Sequence, residues 1–113
     1  KNYTDVEGKR MSAVFEFVMN HFDQKILLEE IATIASMTPN AFCKYFKQRT
    51  NKTFFKFLTE VRIENACTFL SNQQQIAIAN IAHDCGFFNI SNFNRKFKEI
   101  KGVTPTEFRK KVF

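Results

Sequence analysis

The chain has 113 residues, enough for one domain or two very small lobes, and its 44% apolar content excludes a disordered segment. A net charge of +6 favours a polyanionic partner, and fifteen Phe with no Trp indicate a core of aromatic rings on helices. No stretch approaches the roughly 20 apolar residues of a membrane span, so we expect neither a membrane span nor a signal peptide. The three cysteines form no CxxC pair, so the sequence predicts no metal site and fits a reducing cytoplasm.

Only three Gly and two Pro interrupt the sequence, and strand-like alternation is scarce, so we predict an all-α protein of seven helices. Thr38-Pro39 starts the third helix, because Thr is a good N-cap and Pro fits the first helical position. Gly102 is a plausible left-handed helix stop, and Thr104 to Glu107 form a capping box with Pro105 at the first position. The predicted helices cover residues 5–22, 27–35, 39–50, 53–71, 76–85, 90–100 and 105–112.

One segment of the chain occurs twice. Six residues recur fifty positions later: Leu28, Ile31, Ala32, Ala35, Ser36 and Met37 return as Ile78, Ile81, Ala82, Cys85, Gly86 and Phe87. Four more recur at an offset of fifty-one: Phe42, Phe46, Lys47 and Phe57 return as Phe93, Phe97, Lys98 and Phe108. The change in offset falls where a turn can absorb one inserted residue. The repeat therefore predicts two copies of one small helical motif.

The charges support a binding role for both copies. No acidic residue lies between Glu30 and Glu60 or between Asp84 and Glu99, whereas Lys and Arg occur in both windows. Each window lies on the second helix of a copy. A short helix, a tight turn and a second helix with a basic outer face are typical of a helix-turn-helix, whose second helix can enter a major groove. The helix at 53–71, roughly 28 Å long, could set two such helices about one DNA turn apart.

Outward positions of the second helices supply the candidate DNA contacts. Asn suits adenine, whereas Lys and Arg suit the N7 and O6 atoms of guanine. Arg95 is predicted to contact a base or to clamp a phosphate, and Ile90 to touch a thymine methyl or to pack against the turn. The predicted base-reading residues are Asn40, Cys43, Lys44, Ile90, Ser91, Asn94 and Arg95. The predicted phosphate contacts are Lys47, Lys52, Lys96 and Lys98. The predicted structural residues are Arg62, Gly86, Phe87, Gly102 and Pro105, with Arg62 partly buried and bracing the lobes.

The second copy resembles the signature of the AraC/XylS family of bacterial transcription regulators. The matching residues are Ile81-Ala82, Cys85-Gly86-Phe87, Ser91-Asn92-Phe93, Arg95-Lys96-Phe97-Lys98, Gly102, Thr104-Pro105 and Phe108-Arg109, with Arg62-Ile63, Ala66 and Phe69-Leu70 in the connecting helix. The resemblance covers about residues 7–112. It implies two homeodomain-like three-helix lobes, a first at 1–52 and a second at 73–113, joined by a linker helix at 53–72. It also implies RNA polymerase as a partner and a preceding sensing or dimerising region, with which the polar start at Lys1 to Asp5 agrees.

Three positions depart from the family pattern. Asn51 stands where the first copy commonly has Gly, and Asn tolerates a left-handed conformation. Phe54 stands where the second copy has Pro105, which affects the entry to the linker helix. Cys43 occupies a base-reading position although its thiol is a weak donor.

We therefore predict a domain that binds double-stranded DNA sequence-specifically through two adjacent major grooves and regulates bacterial transcription. The alternative is a basic helical interaction module for an acidic protein or RNA. An enzyme is not predicted, because no paired carboxylate, Cys/His couple or Gly-rich phosphate loop is present, and neither a cofactor nor a metal is expected.

Overall fold

A computed structural model describes residues 5–73 and 75–112, with the side chains of 5–7 left out. The polar start before Asp5, which agrees with the expected preceding region, lies outside these residues. Within them the chain is all-α and has no strand, which confirms the predicted fold class. The helices are α1 (Asp5–His21), α2 (Leu28–Ile34), α3 (Pro39–Thr50), α4 (Phe54–Asn72), α5 (Ile78–Asp84), α6 (Ile90–Lys101) and α7 (Pro105–Val112).

The helix ends follow the capping chemistry of the sequence. Asn51 ends α3 in the left-handed conformation with φ 66°, which confirms that Asn takes up the conformation usually supplied by Gly at this position. Phe54 starts α4 without a Pro, because the Thr53 hydroxyl accepts a hydrogen bond from the Lys56 N–H at 3.1 Å. The predicted start of α5 at residue 76 is wrong by two residues, since Ala77 is extended and acts as the N-cap.

The chain divides into two compact units, Lys1–Leu58 and Thr59–Phe113. The boundary falls inside α4, whereas the sequence predicted a separate linker at 53–72; that three-part division stays a prediction. Unit 1 contains α1 to α3 and the first turn of α4. Unit 2 contains the rest of α4 and α5 to α7.

The core of unit 1 is a cluster of aromatic rings. Phe42 and Phe46 on α3 are fully buried, and both pack edge-on against Phe54 with centroids 5.6 and 5.5 Å away. Phe57 lies 5.5 Å from Phe46 and 5.4 Å from Phe15 of α1. Edge-to-face pairs at these distances stabilise a core beyond the area they bury. The cluster fixes which side of α3 faces inward.

The core of unit 2 repeats this arrangement. Phe93 and Phe97 on α6 are fully buried, with Phe87 of the preceding turn 5.1 Å from Phe93 and Phe108 of α7 5.6 Å from Phe97. The remaining members of the core are Ile63, Ala66, Cys67, Leu70, Ile81, Ala82 and Cys85. The same two positions of each second helix, fifty-one residues apart, therefore anchor it to its unit.

Candidate nucleic-acid interface

The turn between α2 and α3 sets the direction of the second helix in unit 1. Ser36 adopts a left-handed conformation with φ 58°, and the Met37 N–H donates to the Ala32 carbonyl at 2.9 Å. The Thr38 hydroxyl then accepts a hydrogen bond from the Ala41 N–H at 3.3 Å, so it caps α3. Pro39 follows as the first helical residue, where its missing N–H has no cost.

The outer face of α3 is polar and basic. Phe42, Tyr45 and Phe46 are its buried residues, which leaves the opposite side to solvent. That side carries the exposed residues Asn40, Cys43, Lys44, Lys47 and Gln48. All four residues predicted to read bases or bind phosphate on α3 thus share one accessible surface.

Tyr45 holds two further cations of unit 1 away from this surface. The guanidinium carbon of Arg49 lies 4.9 Å from the centroid of the Tyr45 ring, and that of Arg10 on α1 lies 5.6 Å from it. Arg49 is half-buried. Such cation–π contacts link α1 to α3 within unit 1 and help to hold the C-terminal half of α3 in place.

The turn between α5 and α6 copies the first turn with one extra residue. Gly86 takes the left-handed conformation with φ 95°, and the Phe87 N–H donates to the Ala82 carbonyl at 3.0 Å, as Met37 does in unit 1. Phe87 is buried, whereas the next residue, Phe88, is 72% exposed. The Asn89 side chain then caps α6 by accepting from the Asn92 N–H at 2.8 Å.

The outer face of α6 carries the second set of candidates. Phe93 and Phe97 are buried on the other side. The exposed residues are Ile90, Ser91, Asn94, Arg95, Lys98 and Glu99, and Lys96 is half-buried. At the offset of fifty-one, Arg95 and Lys98 occupy the positions of Lys44 and Lys47 on α3.

Arg95 is held by its own helix. Its Nη2 donates to the Asn92 Oδ1 at 2.8 Å, and its Nε lies 4.0 Å from the Glu99 Oε2. The Lys96 Nζ approaches the same carboxylate at 3.7 Å. The guanidinium is therefore in contact with neighbours on its own helix, and Glu99 is the single acidic residue of α6.

The predicted structural residues of unit 2 lie at helix ends and in its interior. Gly102 ends α6 with φ 81° and donates its N–H to the Lys98 carbonyl at 2.8 Å, and Pro105 is buried as the first residue of α7. Arg62 is half-buried and engaged in interactions. Lys52, in unit 1, is also half-buried and engaged. The roles assigned to these residues stay predictions.

Two polar contacts secure α6 and α7. A side-chain hydrogen bond from Lys101 to Glu64 of α4 raises the pKa of Lys101. The Thr104 backbone N–H and hydroxyl hydrogen-bond with Glu107, as the predicted capping box requires, and they lower the pKa of the Glu107 carboxyl. Both contacts stabilise the charged forms.

Three residues at or near the outer faces were assigned no site role from the sequence. Phe88 is the residue whose insertion changes the repeat offset from fifty to fifty-one, so the offset was the available signal. Asn92 orients Arg95, and its spacing of three positions on one helix was the signal there. Gln48 extends the exposed face of α3 by one turn beyond Lys44.

Among the described residues, no group of three or more His, Cys, Asp or Glu side chains could hold a metal ion. Cys43 is exposed, whereas Cys67 and Cys85 are buried. None of the helices in the described part of the chain is long and apolar enough to cross a membrane.

Two successive helix-turn-helix motifs, each with a solvent-facing basic second helix, define a class of DNA-binding domain. A helix-turn-helix domain family matches residues 31–111 of the chain. The chain belongs to the AraC/XylS family of transcription regulators, as the motif of unit 2 predicted. This family is a class of DNA-binding regulators and not a class of enzymes, and the alternative of a module for an acidic protein or RNA is not favoured.

Curated relatives extend well beyond this chain. It is 27% identical over 105 residues to the uncharacterized regulator YdeC of Bacillus subtilis, covering 93% of this chain and 36% of YdeC. It is 30% identical over 106 residues to the transcriptional activator RhaS of Mannheimia succiniciproducens, covering 94% of this chain and 38% of RhaS. The chain therefore spans little more than a third of the length of these two relatives.

Solved structures share the fold. The C-terminal domain of AraT, a response regulator from Geobacillus stearothermophilus, superposes with a TM-score of 0.83 at 25% identity, covering 98% of this chain and 88% of that one. The DNA-binding domain of AdpA, solved in complex with a target DNA, superposes with a TM-score of 0.81 at 21% identity, covering 88% and 89%.

Proposed function

We propose that this chain binds duplex DNA sequence-specifically, with α3 and α6 in adjacent major grooves, and thereby regulates transcription. The observation that carries the proposal is the matched pair Lys44 and Arg95. Each is exposed at the same repeat position of a second helix, opposite two fully buried Phe rings. A helix held by its inner face and cationic on its outer face has the geometry required to enter a major groove.

The outer residues divide into base contacts and phosphate contacts. Asn40 and Asn94 carry amides suited to adenine, and Lys44 and Arg95 carry donors suited to guanine. Cys43, Ile90 and Ser91 complete the proposed base-reading set. Phosphate contacts are assigned to Lys47, Lys52, Lys96 and Lys98. For each phosphate that such a residue neutralises, the base-10 logarithm of the association constant should fall by about 0.9 per tenfold rise in salt concentration.

The intact protein is proposed to be a longer cytoplasmic regulator without catalytic activity. The short share of each relative that the chain spans supports an additional region, which we propose senses a ligand or dimerises the protein. RNA polymerase is the proposed second partner of the complete regulator.

A selection experiment tests sequence-specific binding. The 113-residue chain would be used to select duplexes from a random library, and the Kd of a selected duplex would be compared with those of a scrambled duplex, the single strand and the matching RNA at two salt concentrations. A specific regulator binds the selected duplex at least about a thousandfold more tightly than the scrambled one at physiological salt. Equal affinity for all four nucleic acids would support the interaction-module alternative instead.

A second experiment tests the use of two grooves. Lys44→Ala and Arg95→Ala would each be profiled against every single-base variant of the selected duplex. Because the two residues are proposed to occupy adjacent major grooves, the base position whose preference is lost in Lys44→Ala should lie about 10 base pairs from the one whose preference is lost in Arg95→Ala. Relaxation of the same position by both substitutions, or by neither, would refute the assignment of one groove to each unit.

A further inference from the structure

The most exposed large apolar side chain among the described residues is Phe88. It occupies the turn between α5 and α6, directly before the N-cap residue Asn89. Its ring is 72% exposed, whereas Phe87 beside it is only 6% exposed and packs on Phe93. Phe87 therefore fills the core position of the turn, and Phe88 has no role in that core.

Phe88 is also the residue that the first motif lacks. Met37 and Thr38 are adjacent in unit 1, whereas their counterparts Phe87 and Asn89 in unit 2 are separated by Phe88. The insertion thus adds an aromatic ring to the N-terminal end of α6 and to no corresponding place on α3. Water contact of such a ring is unfavourable, and a ligand that covers it gains the corresponding free energy.

A second exposed apolar residue lies next to this ring in the chain. Ile90 is the first residue of α6 and is 42% exposed. Ile90 and Asn94 are one helical turn apart and lie on the same side of α6. Ile90 therefore belongs to the proposed base-reading face, and Phe88 precedes it by two residues at the N-terminal end of α6.

We propose that Phe88, together with Ile90, forms an apolar contact with the 5-methyl groups of thymines in the major groove entered by α6. This inference rests on the proposed function and identifies which base edges unit 2 selects. The first residues of a recognition helix contact base edges, and the thymine methyl is the apolar group that the major groove presents. The contact makes unit 2 prefer thymine beside the bases read by Asn94 and Arg95. The first motif, which lacks this ring, has no such preference.

Replacement of thymine by uracil tests the contact, because it removes only the methyl group. The probes are one duplex selected by the 113-residue chain and the same duplex synthesised with deoxyuridine at each thymine in turn. We expect wild-type affinity to fall about fourfold at one or two positions within the half of the site that depends on Arg95. For Phe88→Ala we expect affinity for the thymine duplex to fall about tenfold and the effect of uracil at those positions to disappear.

Control variants separate the ring contact from other causes. Phe88→Leu keeps an apolar side chain and should retain a measurable uracil effect. Met19→Ala removes a 52% exposed apolar side chain from α1 and should leave both affinities unchanged. Thermal unfolding of Phe88→Ala should match wild type, since the ring is outside the core.

Each outcome decides between the two proposals. If wild-type protein selects no duplex, the proposed function itself fails. If wild type binds specifically but Phe88→Ala binds the thymine and uracil duplexes as wild type does, the thymine contact is refuted. If Phe88→Ala weakens both duplexes equally, the ring packs on the sugar–phosphate backbone and the inference of thymine preference is also refuted.

Discussion

Replacement of Arg95 by Ala separates DNA recognition from stability. The side chain is 63% exposed, and its described polar contacts, to Asn92 and Glu99, lie within α6. Exposed pairs of this kind contribute about 0–1 kcal/mol to the free energy of unfolding. Arg95→Ala should therefore leave the protein folded, with a loss of stability below about 1 kcal/mol.

The same substitution should have a larger effect on DNA binding. A guanidinium that donates two hydrogen bonds to guanine N7 and O6 contributes about 1–3 kcal/mol to discrimination against other bases. The loss corresponds to a rise in Kd of about 5- to 160-fold on the selected duplex.

Fluorescence anisotropy with the selected duplex and its single-base variants measures both the Kd for the selected duplex and the preference at each base position. Arg95→Lys keeps the charge but loses the planar fork of the guanidinium, so it should restore the non-specific affinity fully and the base preference only in part. Lys25→Ala removes one exposed charge between α1 and α2, outside both motifs, and should change the affinity for all duplexes by the same small factor. If Arg95→Ala weakened every duplex equally, Arg95 would be a phosphate contact and not a base contact.

Three further predictions concern stability. Gly102→Ala should lower the free energy of unfolding by about 1–2 kcal/mol in urea titrations, because φ is +81° at this position although nothing lies within 4 Å of the added Cβ. Gly8→Ala inside the helix α1 should instead raise the free energy of unfolding. A change of the same sign in both variants would contradict the argument from backbone conformation. Arg109→Met removes hydrogen bonds to two backbone carbonyls at 3.2 and 2.6 Å and should cost about 1.5–3 kcal/mol, a loss that Lys110→Met must not reproduce. Glu107→Gln should lower Tm at pH 7, because the hydrogen bonds from Thr104 depress the pKa of Glu107 and so stabilise the fold above its ordinary pKa of 4.5. That difference in Tm should shrink as pH falls below 4.5, and a difference independent of pH would exclude the charge as its cause.

Most of the fold could be predicted because capping signals and apolar spacing are local. Thr38-Pro39, Gly102 and Thr104 each fix a helix end through atoms within four residues of one another. The start of α5 was less predictable, because Ile76 continues the apolar pattern although Ala77 is extended. A pattern of side chains does not specify the backbone where no cap is present.

The outer faces of α3 and α6 could also be predicted, since the buried Phe pairs define them by helical periodicity. Contacts between distant parts of the sequence could not. Arg109 donates to the carbonyls of Gln73 and Ile76, and Lys101 donates to Glu64, across separations of 33 to 37 residues. Phe87 was predicted as a structural residue and is buried, whereas the exposed Phe88 was assigned no role, because in a turn no helical periodicity shows where a side chain points.

Anchoring and target choice are assigned to opposite sides of each second helix. Phe42 and Phe46, or Phe93 and Phe97, hold the helix from the core, whereas Lys44 and Arg95 are exposed on its other side. Exchanging the outward residues therefore leaves folding almost untouched, since surface substitutions usually change stability by less than about 0.5 kcal/mol. Under the proposed function, natural variation or an engineer can thus retarget one half of the binding site while the other half keeps its original preference.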